Sequence, residues 1–220
     1  MNKVQIKNKV CLFDLDGTLI NSMPYFINGM LKVLDEKGIK YPSNLVEIIT
    51  PLGYEGTAKY FINNLGIKEP IEKLVKIMVG ILVEKYQKEI PLKDGVYEFI
   101  KSLKEKGYKL YVLTASPHIM LDSSLQRLGV LNLFEKVWSC DDFSTTKADV
   151  NIYKMVAKEI GVNVSDIAFF DDNINSIKTG KKAGCYTIGV YDISGESFKQ
   201  ELSEIADYYV NNFLEIINEI

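Results

Sequence analysis

Apolar positions along this chain change their period twice. The run Val10-Cys11-Leu12-Phe13 is continuous and short, which predicts a strand over residues 9–13 buried on both faces. The spacing then turns helical. Met23, Phe26, Ile27, Met30, Leu31 and Leu34 fall on one stripe, a second pattern covers residues 58–65, and a third covers 71–86. Gly38, Pro42, Pro51, Gly53, Gly66 and Pro70 punctuate these helices. Beyond Pro91-Leu92-Lys93-Asp94-Gly95 helix and strand alternate. Helices are expected over 96–106, 119–128, 151–160 and 174–183, and strands over 109–113, 137–139, 167–170 and 186–190, with weaker elements after them. Such alternation implies parallel βαβ units and a sheet covered by helices on both faces. The long helical stretch after the first strand replaces a single crossover helix, so it reads as an insertion. The expected organisation is a core of residues 1–17 and 91–220 and an inserted helical domain of residues 18–90.

Composition narrows the setting. With 220 residues, 47% of them hydrophobic, the chain can bury a sizeable core. Its net charge of -3 comes from 26 basic and 29 acidic residues without long single-sign blocks, which argues against a nucleic-acid surface. Arg127 is the single arginine, so an anion site must rest on lysine, hydroxyls, backbone N–H groups or metal. Cys11, Cys140 and Cys185 are odd in number and lack metal-ligand spacing, as expected of reduced thiols. Residues 1–9 lack the apolar middle of a signal peptide, and the longest uncharged apolar run, residues 77–83, is too short for a bilayer. A cytoplasmic protein with no membrane contact, monomeric or homodimeric, is expected.

The chemistry begins where the first strand meets a glycine. Asp14 and Asp16 stand one residue apart in Asp14-Leu15-Asp16-Gly17-Thr18-Leu19, and i and i+2 of an extended chain point to one side. Both carboxylates would emerge at the strand's carboxyl end, where open α/β sheets bind ligands. Like charges so close call for a divalent cation, and Mg²⁺ prefers oxygen ligands and keeps substrate phosphate in its shell. An ordinary Asx turn explains the same short run on turn chemistry alone. A second acid pair, Asp171-Asp172, ends the buried run Phe169-Phe170 and is followed by Asn173, and such a pair too would repel without a cation.

The Asp-Leu-Asp-Gly-Thr-Leu stretch resembles the first signature of the haloacid dehalogenase-like superfamily of phosphohydrolases, and three later strand ends match its remaining signatures in order. The resemblance implies a Rossmann-like α/β core with an α-helical cap inserted after the first signature, as in the phosphoglycolate phosphatase and β-phosphoglucomutase group. It implies Asp14 as nucleophile and Asp16 as general acid and base, Thr114 and Ala115 as phosphate-binding residues, and Lys147 as the cation that lets one anion approach another. It implies Mg²⁺ held by Asp14, Asp16 and Asp172, with Asp171 as an auxiliary acid that ligates through water or orients Lys147. Ala148 follows this lysine where the family often has proline. A small phosphorylated metabolite is the implied substrate. The stretch Thr50-Pro51-Leu52-Gly53-Tyr54-Glu55-Gly56 is the candidate cap contact, with Tyr54, Glu55 and Lys59 as substrate readers.

Three alternatives use similar parts. Dehalogenation is set aside because dehalogenases lack the second aspartate. A β-phosphoglucomutase-like phosphomutase needs a cation for a second phosphate, and the insert has no arginine. A receiver-like signalling or non-catalytic binding module would place its acid pair before its phosphorylated aspartate, the reverse of the order here. The single histidine, His118, is expected to be a part-exposed residue at a helix start, and Trp138 a packing residue.

Overall fold

The computed structural model describes Ile6, residues 9–217 and Glu219; the expectation for residues 1–9 otherwise falls outside the described residues. The elements in order are β1 (Val10–Phe13), α1 (Met23–Glu36), α2 (Leu45–Ile49), α3 (Gly53–Leu65), α4 (Ile71–Lys88) and α5 (Val96–Glu105), then β2 (Lys109–Thr114), α6 (His118–Arg127) and β3 (Lys136–Ser139). They continue with α7 (Val150–Ile160), β4 (Ile167–Asp171), α8 (Ile174–Ala183), β5 (Tyr186–Val190), α9 (Lys199–Ile205) and β6 (Tyr208–Val210). Two short helical elements escaped the periodicity. α2 has five residues between two prolines, too few to show a stripe, and the Gly53 to Gly56 stretch expected as a loop forms the first turn of α3.

The six strands form one parallel sheet in the order β3-β2-β1-β4-β5-β6. The order reverses at β1, so chain connections leave in opposite directions from β1 and β4 and a crevice opens at their carboxyl ends. Phe13 is in register with both Val112 of β2 and Phe170 of β4, and the Asp14 N–H extends the ladder to the Phe170 carbonyl at 2.9 Å. The residues just beyond these strands are therefore held side by side.

Alternation explains why β1 has no polar residue. Val10 and Leu12 pack with Leu113, Phe169, Tyr153 of α7 and Ile177 of α8, while Cys11 and Phe13 pack with Val112, Phe170 and Phe99 of α5 on the other face. Phe13 stacks on Phe170 at 4.5 Å between ring centres. The buried side chains of the insert, among them Met30, Phe61, Met78 and Leu82, continue the second cluster rather than forming a separate one.

The insert is joined to the sheet by two paired segments. Ile20 bridges antiparallel to Leu92, the Asn21 N–H donates to the Pro91 carbonyl at 2.9 Å, and the Lys93 N–H donates to the Leu19 carbonyl at 3.0 Å. Arg127 at the end of α6 donates to the Tyr86 carbonyl at 3.2 Å and to the Ile90 carbonyl. It satisfies carbonyls that the end of α4 leaves without helical partners, so the single guanidinium is committed to backbone. The three cysteines are buried and unbridged, and no described helix is long and apolar enough to cross a membrane.

Phe170 is fully buried at the centre of the sheet and touches the rings of Phe13, Phe99 and Phe213. Phe170→Ala is expected to cost about 3–5 kcal/mol of stability, measured by urea unfolding, because the surrounding rings of Phe13, Phe99 and Phe213 cannot collapse into the void.

Candidate active site

Four sequence-distant segments meet at the carboxyl ends of β1, β2 and β4 and in the loop after β3. Lys147, brought in by the segment between β3 and α7, lies 2.6 Å from Asp14 Oδ1 and 2.7 Å from Asp171 Oδ2, and all three side chains are nearly inaccessible. The Tyr153 hydroxyl holds this lysine's backbone in place: it lies 3.1 Å from both the Lys147 and the Ser176 carbonyls, linking the lysine loop to α8.

Asp14, Asp171 and Asp172 each present a carboxylate oxygen within 4.8 Å of the others, and could hold a metal ion. Three carboxylates facing one ammonium leave two negative charges uncompensated, the charge of one divalent cation. The electrostatics carry the same message. Burial, offset only in part by Lys147, pushes the Asp14 carboxyl up to about 8. Burial also raises Asp171, and it raises Asp172 strongly, with Asp171, Asp192 and Asp14 adding repulsion. Burial works against the Lys147 ammonium, yet Asp14 and Asp171 outweigh it and hold that group protonated. A hard cation with oxygen preference fits this donor set, and the set contains no soft ligand.

The loop after β1 is shaped for the cluster. Leu19 and Ile20 N–H groups both fold back onto the Leu15 carbonyl, and Gly17 takes φ +75°. A Cβ at Gly17 would stand 2.4 Å from Asp172 Oδ2, so only glycine satisfies both the backbone and the space. Thr18 shares in this contact, donating from Oγ1 to Asp172 Oδ1 and accepting from the Asp172 N–H, each at 3.1 Å. Lys93 closes the far side, donating to the Gly17 carbonyl at 2.5 Å, the Tyr191 carbonyl at 2.6 Å and Asp192 Oδ2 at 2.8 Å.

This turn corrects the expectation for Asp16. Because the strand ends at Phe13 and the chain curls through residues 15–20, the carboxylate of Asp16 diverges from that of Asp14 and stands outside the acid cluster. It accepts hydrogen bonds from the hydroxyl of Tyr86 on α4, from Ser116 Oγ at 2.6 Å and, at a long 3.4 Å, from Thr114 Oγ1. Thr114 is thus at the site and buried, while its hydroxyl also accepts from the Ser116 N–H at 3.0 Å. Ala115 lies exposed on the same turn.

Of the cap residues named from sequence, the structure brings in one. Tyr54 packs edge-on against Phe26, with its hydroxyl 3.6 Å from Met120 Sδ, and burial followed by the charge of Asp16 raises its phenol. Glu55 and Lys59 pair with each other at 2.6 Å on the solvent side of α3, one helical turn apart, and so are not gathered at the acids. His118 is half-exposed and bridges Asp122 at 3.1 Å and Asp142 at 2.9 Å, a surface role. Asn173 caps α8 by accepting from the Asn175 and Ser176 N–H groups, while its own N–H donates to Asp171 Oδ1 at 2.7 Å. Tyr86, Ser116, Thr18 and Lys93 were missed. Thr18 and Ser116 sat inside motifs already singled out, whereas Tyr86 reads as one more apolar position on a helix and Lys93 as one more surface lysine.

Comparison with known proteins places the fold and the sequence among hydrolases. The chain is 28% identical over 182 residues to pyrophosphatase PpaX of Bacillus velezensis, covering 81% of each chain. It is 29% identical over 201 residues to a phosphoglycolate phosphatase of Colwellia psychrerythraea, covering 86% of each. Its fold matches the crystal structure of CbbY from Rhodobacter sphaeroides in complex with xylulose-(1,5)bisphosphate, with a TM-score of 0.81 at 20% identity over 94% of this chain and 95% of that one. The sequence model of the haloacid dehalogenase-like hydrolases matches residues 11–190, spanning β1 to β5 and every acid of the cluster. The chain therefore belongs to the haloacid dehalogenase-like hydrolase family and is an enzyme of that hydrolase class.

Proposed function

We propose that this protein is a Mg²⁺-dependent phosphatase that hydrolyses a small phosphorylated metabolite through an aspartyl-phosphate on Asp14. The observation that carries the reading is the division of labour between the two aspartates. Asp14 faces Lys147 and the other acids, and Asp16 faces hydroxyl groups. One is set among charges that suit a phosphoryl group, the other among partners that suit an alcohol.

Each step follows from a residue's surroundings. Asp14 Oδ forms the new bond to phosphorus as the bond from phosphorus to the departing alcohol oxygen breaks, and Asp16, protonated, gives its proton to that oxygen. Lys147, already within 2.6 Å of Asp14, neutralises charge as the two anions approach. Asp16, now ionised and held by Tyr86 and Ser116, takes a proton from water as the water oxygen bonds to phosphorus and the Asp14–phosphorus bond breaks. Asp14, Asp171 and Asp172 would hold Mg²⁺, which supplies charge for the transferring phosphoryl group. The insert, residues 18–90, acts as a cap: its Tyr86 and Tyr54 cover Asp16 and exclude bulk water from the second step.

Asp14→Asn is expected to abolish release of phosphate from p-nitrophenyl phosphate while leaving the circular dichroism spectrum unchanged; substantial remaining turnover would remove Asp14 as nucleophile. A second expectation comes from the raised acids. The metal-free native state retains on Asp14 a proton that the unfolded chain gives up near its ordinary pKa of 3.8, so this group's contribution to stability is complete in acid and is lost as pH rises to about 8. Bound Mg²⁺ removes the penalty by replacing the proton. The Tm difference between Mg²⁺ and chelator should therefore widen from pH 5 to pH 8 in scanning calorimetry, and a difference independent of pH would contradict the assigned metal ligands.

A further inference from the structure

We infer that the site selects phosphate monoesters whose leaving group is an uncharged alcohol, and disfavours those that carry a carboxylate or a second phosphate beside the scissile bond. The inference rests on the phosphatase reading and specifies its substrate class. In that reading the departing oxygen must come within hydrogen-bond reach of Asp16, so the leaving group occupies the surroundings of this carboxylate. Those surroundings are neutral: the Tyr86 phenol, the Ser116 and Thr114 hydroxyls, and behind them Tyr54, Phe26 and Met120. The Tyr86 hydroxyl on Asp16 is itself an uncharged oxygen lying where a leaving alcohol would lie.

The basic groups that come near are committed elsewhere. Lys147 is shared by Asp14 and Asp171, Lys93 by Asp192 and two carbonyls, and Arg127 by two carbonyls at the end of α4. His118 is held by Asp122 and Asp142, and Lys59 by Glu55. The side chains that bear on the Tyr54 phenol are Asp16, Tyr86 and Ser116, with no cation among them. A cleft of about 440 Å³ between α1, α2 and residues 193–197 adds to the asymmetry, since its lining includes Glu47 and Glu196 and no lysine, arginine or histidine. A Cβ added at Gly195, between the lining residues Ser194 and Glu196, would stand 4.0 Å from the backbone carbonyl of Asp172. A second anionic group on the substrate would lose its hydration here without gaining a cation, whereas alcohol hydroxyls can both donate to and accept from phenols and serines.

The test compares two substrates that differ at one carbon. Steady-state kinetics with Mg²⁺ should give 2-hydroxyethyl phosphate a kcat/KM about tenfold or more above that of 2-phosphoglycolate, with pyrophosphate also disfavoured. Tyr54→Lys, placing an ammonium beside Asp16, should raise turnover of 2-phosphoglycolate and narrow the gap. Equal or preferred hydrolysis of 2-phosphoglycolate or pyrophosphate by the wild type, with Asp14→Asn inactive, overturns the inference and leaves the phosphatase reading standing. No hydrolysis of these three compounds above the Asp14→Asn background overturns the inference, and no hydrolysis of p-nitrophenyl phosphate either overturns the phosphatase reading with it. The wild-type comparison decides the matter even if the Tyr54 variant does not fold.

Discussion

The contact of one buried ammonium with two buried carboxylates organises this molecule. Lys147 Nζ meets Asp14 and Asp171 at 2.6 and 2.7 Å, and a third acid, Asp172, lies within reach of both. Removing three carboxylates from water against one cation is unfavourable, and the raised Asp14, Asp171 and Asp172 express that cost. The arrangement persists because β1 and residues 167–170 of β4, which carry it, are anchored by buried apolar packing. Stability is supplied by rings such as Phe13 and Phe170, and the sheet ends hold the charge deficit in place for a cation and a phosphoryl group.

That deficit also explains the supports around the site. The Tyr153 hydroxyl fixes the lysine's backbone against α8, Asn173 donates its N–H to Asp171 while capping the same helix, and Thr18 exchanges hydrogen bonds with Asp172. Lys93 sits between the Gly17 carbonyl and Asp192, so it ties the loop after β1 and the return from residues 18–90 to the segment after β5. The contacts of Asn173 with Asp171 and of Thr18 with Asp172 orient these acids without neutralising them. A positive charge in their place would have satisfied the deficit and left nothing for a metal to do.

The insert contributes chemistry of the opposite kind. Its phenols and the Ser116 hydroxyl surround Asp16 with neutral donors, and its packing continues the core cluster of one sheet face. Two aspartates separated by a single residue are thereby given different environments, one ionic and one hydroxylic. In the proposed mechanism it is environment rather than residue type that divides the roles of nucleophile and proton carrier.

Much of this was legible in the linear chain. Short continuous apolar runs located β1 to β5 and period-3.6 patterning the longer helices, because a sheet buried on both faces and a helix buried on one leave distinct apolar spacings. The acids at strand ends were readable from their placement, and Thr114 and Lys147 from the resemblance to a family's ordered signatures; parallel topology then brings the carboxyl ends together whatever lies between them. Tertiary structure decided the rest. The curl of residues 15–20 turned Asp16 away from Asp14 despite the two-residue spacing, since extended alternation holds only while the strand lasts. Glu55 and Lys59, expected as substrate readers, pair with one another on the outer face of α3. Tyr86 reached Asp16 because α4 packs on α6, a contact between residues 70 positions apart that no local pattern encodes. Sequence by itself determined which chemical groups the protein owns and which strand ends carry them; folding alone determined which of those groups face a charge and which face a hydroxyl.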